Sequence, residues 1–137
     1  MKRAFIDTNI LIDLIADRKP FSKYAIAIFQ RAEQKEIELF TSSHAIGTTH
    51  YVLKKYIDDK KLREVLLNLM DYISIVAVTA DILKKGLRSN HNDFEDAIQI
   101  LCASSVDKVD CIVTRNIKDF KKSEIKVLSP DEFVLVK

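Results

Sequence analysis

Two cysteines are too few for a disulfide framework, and they are placed like core residues: Cys102 falls in a helical apolar pattern and Cys111 in a short apolar run. Both suit a reducing compartment. No apolar stretch is long enough to cross a bilayer, and Asp7 follows Arg3 too closely for the apolar region of a signal peptide, so a soluble, cytoplasmic protein is expected. An excess of one charge is missing too. The 22 basic and 20 acidic residues leave a net charge of +2 without a charged block or tail, so nothing advertises a polyanion partner. Linkers, internal repeats and low-complexity segments are also absent. The 137 residues, 47% of them hydrophobic, are therefore expected to form one domain over 1–137 with a substantial core.

What is present is an alternation of short apolar runs with helical periodicity. Ala4-Phe5-Ile6 reads as a strand ending on Asp7-Thr8-Asn9, after which Ile10, Leu11, Leu14 and Ile15 begin a helix. Pro20 opens a second helix bearing Phe21, Ala25, Ile28, Phe29 and Ala32 on one face. Glu38 to Thr41 is a strand, Ser42 or Ser43 caps a helix, and Asp58 or Asp59 caps the next. Ile73 to Val78, Cys111 to Thr114 and Ile125 to Leu128 complete the strands, with a Thr79-capped helix after the first of them and a turn or one helical turn over Ser129 to Phe133 after the last. Strands alternating with helices predict a parallel α/β sandwich.

Carboxylates gather where such a sheet would bind a ligand, at the carboxyl ends of its strands. Asp7 follows the first strand, Asp93 and Asp96 stand at a helix start, and Asp119 lies beyond the fourth strand. Asn92 with Glu95 reads as a capping box, and first-turn acids also suit the helix dipole, so caps explain part of this pattern. The remainder suggests a cation, because converging like charges are costly unless a positive ion holds them. Mg²⁺ or Mn²⁺, bound through oxygen and water, can activate water against a phosphodiester. Phosphoryl transfer on an aspartate fits less well. Asn9 stands where a haloacid-dehalogenase-type phosphatase needs a second Asp, and Ile73 to Val78 ends in Thr79-Ala80, where a receiver domain needs its phosphoacceptor.

Phe5-Ile6-Asp7-Thr8-Asn9, Asp93-Phe94-Glu95-Asp96-Ala97 and Ile112-Val113-Thr114-Arg115-Asn116 with Asp119-Phe120, in that order, resemble the PIN domain family, which includes VapC-type toxin ribonucleases. The resemblance implies a three-layer α/β sandwich with a five-stranded parallel sheet in the order 3-2-1-4-5. It further implies an acidic pocket for Mg²⁺ or Mn²⁺, single-stranded RNA as substrate and, for a toxin, a homodimer with a small antitoxin. Asp7, Asp96 and Asp119 match the family's metal-holding acids, with Asp93 assisting. Asn9, Thr114 and Asn116 match polar residues that shape the pocket, and Thr8 and Arg115, within the same motifs, are further candidates for it. One departure stands out: the family's second acid, on the helix after the second strand, aligns with Thr48, and no acid occurs between Glu38 and Asp58. Either His44 or Thr48, four apart on that helix, stands in for it, or both are ordinary polar helix residues and the chain is an inactive RNA- or protein-binding module. Basic residues cluster at Lys54 to Arg63 and at Arg115 to Lys126, the second cluster being the better placed for phosphate contact. His50 and His91 read as surface or loop residues, and Tyr51, Tyr56 and Tyr72 as packing residues.

Overall fold

A computed structural model describes residues 1–136, so the final residue of the expected 1–137 unit lies outside the described residues. Five strands form one sheet: β1 (Lys2–Ile6), β2 (Ile37–Ser42), β3 (Ile73–Val76), β4 (Cys111–Val113) and β5 (Val127–Leu128). Their order is β3-β2-β1-β4-β5 and every pairing is parallel. The helices are α1 (Thr8–Ile15), α2 (Ser22–Glu33), α3 (Ser43–Leu53), α4 (Asp59–Leu69), α5 (Ala80–Arg88), α6 (Phe94–Ser104) and α7 (Pro130–Val134), with a 3-10 turn at Ile117–Phe120.

The central strand β1 is buried at Ala4, Phe5 and Ile6, as expected of a parallel strand covered on both faces. Alternation divides its side chains. Ala4 and Ile6 pack with Ile10, Leu11, Ala25, Ile28 and Phe133, whereas Phe5 joins Phe40, Ile98, Cys102, Ile112 and Phe120 on the other side. A smaller cluster of Ile12, Leu53, Leu62 and Leu66 seats α4 against α3 and α1. The chain builds outward from β1 through β2 to β3, then returns to place β4 on the other side of β1. That reversal opens a crevice at the carboxyl ends of β1 and β4, where Asp7 and Thr114 lie.

Local chemistry sets most helix starts. Asp7, Ser42, Asp58 and Thr79 cap α1, α3, α4 and α5, and Ser129 with Glu132 closes a capping box on α7. Two expectations need correction here. The α6 cap is Asp93, not Asn92: its Oδ1 accepts from the Glu95 and Asp96 backbone N–H groups at 2.8 and 3.3 Å, which leaves the Glu95 side chain outside any capping box. Helix α2 begins at Ser22 with Phe21 as its cap, two residues after Pro20. Phe94 is 39% exposed because it opens α6, and its ring lies over α5. Gly86 makes room for it, since a Cβ there would stand 3.2 Å from Phe94 Cε1.

The three tyrosines also differ from expectation. Tyr51, Tyr56 and Tyr72 are 60%, 80% and 42% exposed; Tyr51 is left on the outer side of α3, which turns Ala45, Thr49 and Leu53 inward, and Tyr56 and Tyr72 lie outside the helices. The Tyr51 ring is flanked by the Lys54 and Lys55 ammonium groups at 5.1 and 5.3 Å. His50 does find a partner, its Nε2 lying 2.6 Å from Asp59 Oδ1. No helix among the described residues is long and apolar enough to cross a membrane.

Candidate functional site

The floor of the crevice is Asp7, whose carboxylate is buried and surrounded by donors. Its Oδ1 accepts from the Thr8 backbone N–H at 2.8 Å and from Gln99 Nε2 at 2.9 Å. Its Oδ2 accepts from the Thr114 hydroxyl at 2.8 Å and, more weakly, from Asn9 Nδ2 at 3.4 Å. Three of these hydrogen bonds are of ordinary length and hold the group rigidly, while the long Asn9 contact leaves an Oδ2 lone pair open to a cation. Thr114 Oγ1 accepts in turn from Asn9 Nδ2 and the Asn116 backbone N–H. This network ties β1, β4 and the loop after β4 into one polar unit.

Gln99 was not among the residues singled out in the sequence. It is 3% exposed, its Oε1 accepts from the Ser42 hydroxyl, and Ser42 Oγ accepts from the Ala45 backbone N–H at the start of α3. A relay of hydrogen bonds therefore runs from the N-terminus of α3 through α6 to Asp7. The signal for it was present: Gln99 is the one polar residue within Ala97 to Ala103.

Above the floor, a cavity of about 230 Å³ is lined by Asp7, Thr8, Asn9, His44, Thr48, Asp96 and Asn116, with Ile12, Glu95 and Gln99. An adjoining cavity of about 240 Å³ holds Asp93 and Asp119 beside Lys118, Lys121 and Lys122. Asp96 lines both. The structure thus gathers seven of the expected site residues in one hollow and sets Asp93 and Asp119 in its neighbour. The Arg115 side chain is directed elsewhere, to Asp13, whose two oxygens accept from its Nε and Nη2 at 2.6 and 3.0 Å. Only the Arg115 backbone N–H reaches the site network, donating to Asn9 Oδ1 at 3.3 Å. Two of the five guanidinium N–H donors are taken by this carboxylate, and the Arg115 side chain does not line the Asp7 cavity.

Burial, followed by the negative charges of Asp93, Asp119, Asp7 and Glu95, pushes the Asp96 carboxyl up to about 7. Among the described residues no group of three His, Cys, Asp or Glu side chains is placed to hold a metal ion on its own. Asp7, Asp96 and Asp119 therefore do not form a closed three-ligand cluster, since Asp119 lies on the far side of Asp96. An all-oxygen set at this spacing still fits a hard divalent cation, which keeps several waters and needs only one or two carboxylates besides substrate phosphates.

The raised Asp96 has a consequence for stability. In the metal-free folded protein it keeps its proton up to about pH 7, whereas in the unfolded chain it loses it near 3.8. The native state binds more protons in that window, so stability from this group falls as pH rises from about 4 to about 7 and is level above. We expect the thermal midpoint to drop across this range without metal, the Asp96→Asn variant to lose that part of the slope, and Mn²⁺ to stabilise more at pH 8 than at pH 5.5. Calorimetric scans of the two proteins test all three; identical slopes would refute the assignment to Asp96.

Comparison with known proteins adds to this geometry. The family model described as "PIN domain" matches residues 3–118. Ribonuclease VapC1 of Aquifex aeolicus (strain VF5) is 28% identical over 138 residues, covering 96% of this chain and 93% of that protein. A chain in the structure titled toxin-antitoxin complex from Klebsiella pneumoniae superposes with a TM-score of 0.65 at 28% identity, covering 93% of this chain and 97% of that one. The fold extends to Mycobacterium tuberculosis VapC20, described as a Sarcin-Ricin loop cleaving toxin, with a TM-score of 0.60 at 17% identity over 80% of this chain and 86% of that one.

Proposed function

Because the chain belongs to the PIN domain family, we propose that it is a divalent-metal-dependent ribonuclease that hydrolyses phosphodiester bonds of single-stranded RNA, and that it is the toxin of a toxin–antitoxin pair. The observation that carries this is the Asp7–Asp96 pocket: a buried carboxylate held by its donors, facing a second carboxylate whose charge is suppressed by burial and then by its acidic neighbours. A Mg²⁺ or Mn²⁺ ion bound there would supply an activated water and stabilise charge on the scissile phosphate. Asp7 and Asp96 would hold it, with Asp119 and Asp93 reaching it through water. Gln99, Thr114 and Asn9 keep Asp7 from rotating, so the donor atoms are organised before substrate arrives. Lys118, Lys121 and Lys122, around the adjoining cavity, draw in the RNA backbone by charge.

The partner reading rests on the relative at 28% identity found in a toxin–antitoxin complex, which supports an antitoxin partner; that the antitoxin lies across the acidic pocket is part of the proposal. The chain itself is expected to form a homodimer. A second reading, an RNA- or protein-binding PIN module without catalysis, draws on Thr48 in place of an acid and on the lack of a three-ligand cluster among the described residues.

Cleavage of a mixed single-stranded RNA pool in Mn²⁺ and in Mg²⁺, with EDTA and Asp96→Asn as controls, separates the two. We expect cleavage that needs metal and falls at least about a hundredfold in the variant, since the acid is asked to support several kcal/mol of metal-derived stabilisation. Wild-type protein no more active than the variant would favour the binding module.

A further inference from the structure

The α3 wall of the pocket has no acid of its own. The carboxylate that nevertheless reaches this wall comes from α6. Glu95 Oε1 lies 3.3 Å from His44 Nε2, and that same nitrogen lies 3.4 Å from the Thr48 hydroxyl. A carboxylate only accepts, so in this contact Nε2–H of His44 is the donor and Glu95 the acceptor. The imidazole thus links the Glu95 carboxylate to Thr48, inside the cavity that all three share with Asp7 and Asp96.

Two facts argue that this contact has a purpose beyond holding helices together. Glu95 is free to make it only because Asp93 provides the α6 cap, leaving the Glu95 side chain without a backbone N–H to close upon. The pair is also open to solvent, with 35% and 66% side-chain exposure, and an ion pair so exposed adds little to stability. An acidic side chain that leans into a cavity already lined by Asp7 and Asp96 raises the local repulsion. A bound cation would reverse that cost.

We propose that Glu95, oriented by His44, is the third carboxylate of the pocket, beside Asp7 and Asp96, and serves the bound cation from α6 in place of the acid that α3 lacks at Thr48. The proposal rests on the metal-dependent ribonuclease reading above and adds the residue that completes its site. It makes Thr48 a compensated position rather than a mark of lost function.

The test is Mn²⁺ binding to the purified full chain at pH 8, read from the spin-resonance signal of free Mn²⁺. Glu95→Gln is expected to weaken binding about tenfold, and His44→Ala to weaken it less, as loss of an orienting partner does. Adding Thr48→Glu to Glu95→Gln should restore affinity to within about threefold of wild type, a rescue that a merely structural role for Glu95 would not permit. Glu33→Gln, far along α2, serves as the unaffected control, and thermal midpoints show that each variant folds. Binding by Glu95→Gln equal to wild type overturns the proposal. So does a Thr48→Glu gain of the same size whether or not Glu95 is present. RNA cleavage is scored separately: the expected binding pattern in a wild-type protein that cuts no RNA would refute the ribonuclease reading and leave the role of Glu95 standing. Wild-type protein that binds no Mn²⁺ would refute both.

Discussion

Asp13→Ala should lower the free energy of unfolding by about 3 kcal/mol, the scale on which breaking one side of a buried ion pair destabilises a protein. Asp13 is 1% exposed on α1, and both of its oxygens are taken by the Arg115 fork. The guanidinium carbon lies 4.1 Å from the centre of the Phe21 ring, so Arg115 is held between a carboxylate and an aromatic face. Removing the carboxylate strands a charge that water only partly reaches, with 24% of the Arg115 side chain exposed. Urea titration should show a lower midpoint at an unchanged slope. The double replacement Asp13→Leu with Arg115→Met should recover most of the loss, because it removes both charges together. A single variant within about 0.5 kcal/mol of wild type, the usual range for surface changes, would show that the pair is not structural. The effect should extend to function, since Arg115 starts the loop that carries Asn116 and Asp119.

Asp7→Asn should reduce RNA cleavage about a thousandfold, the rate equivalent of the several kcal/mol that a bound cation contributes to phosphodiester hydrolysis. Its structural cost should be smaller and separable. The carboxylate accepts four hydrogen bonds, whereas an amide offers one oxygen and sets two N–H groups against existing donors. Thr114 Oγ1 cannot relieve the conflict easily, because it already accepts from Asn9 and Asn116. A loss of about 1–3 kcal/mol follows from leaving such buried donors unpaired. Single-turnover cleavage at saturating Mn²⁺, beside a denaturation curve, distinguishes the two effects. If the variant kept wild-type cleavage while folded, Asp7 would be a structural cap and the cation site would have to lie elsewhere.

Local pattern carried most of the architecture. The five strands and the longer helices were legible as apolar runs or a 3.6-residue period, because burial of one face constrains side-chain type at every turn, whereas the 3-10 turn at Ile117–Phe120 was not. The alternation of the two called for a parallel sheet, and Asp7, Asp93, Asp96 and Asp119 could be placed at strand ends and a helix start. The strand order came from the family resemblance, and the sheet has that order.

Tertiary structure decided the pairings that leave no periodic trace. Gln99 meets Ser42 and Asp7 across 57 and 92 residues, Arg115 meets Asp13 across 102, and His44 meets Glu95 across 51. Each joins elements that adjoin only because β4 returns to the other side of β1, and a single hydrogen bond constrains one residue rather than a pattern. The choice of Asp93 over Asn92 as the α6 cap was undecidable for a related reason. Both are good capping residues, and the helix start is set by where α6 must sit to bury Ala97, Ile98 and Cys102 against the sheet.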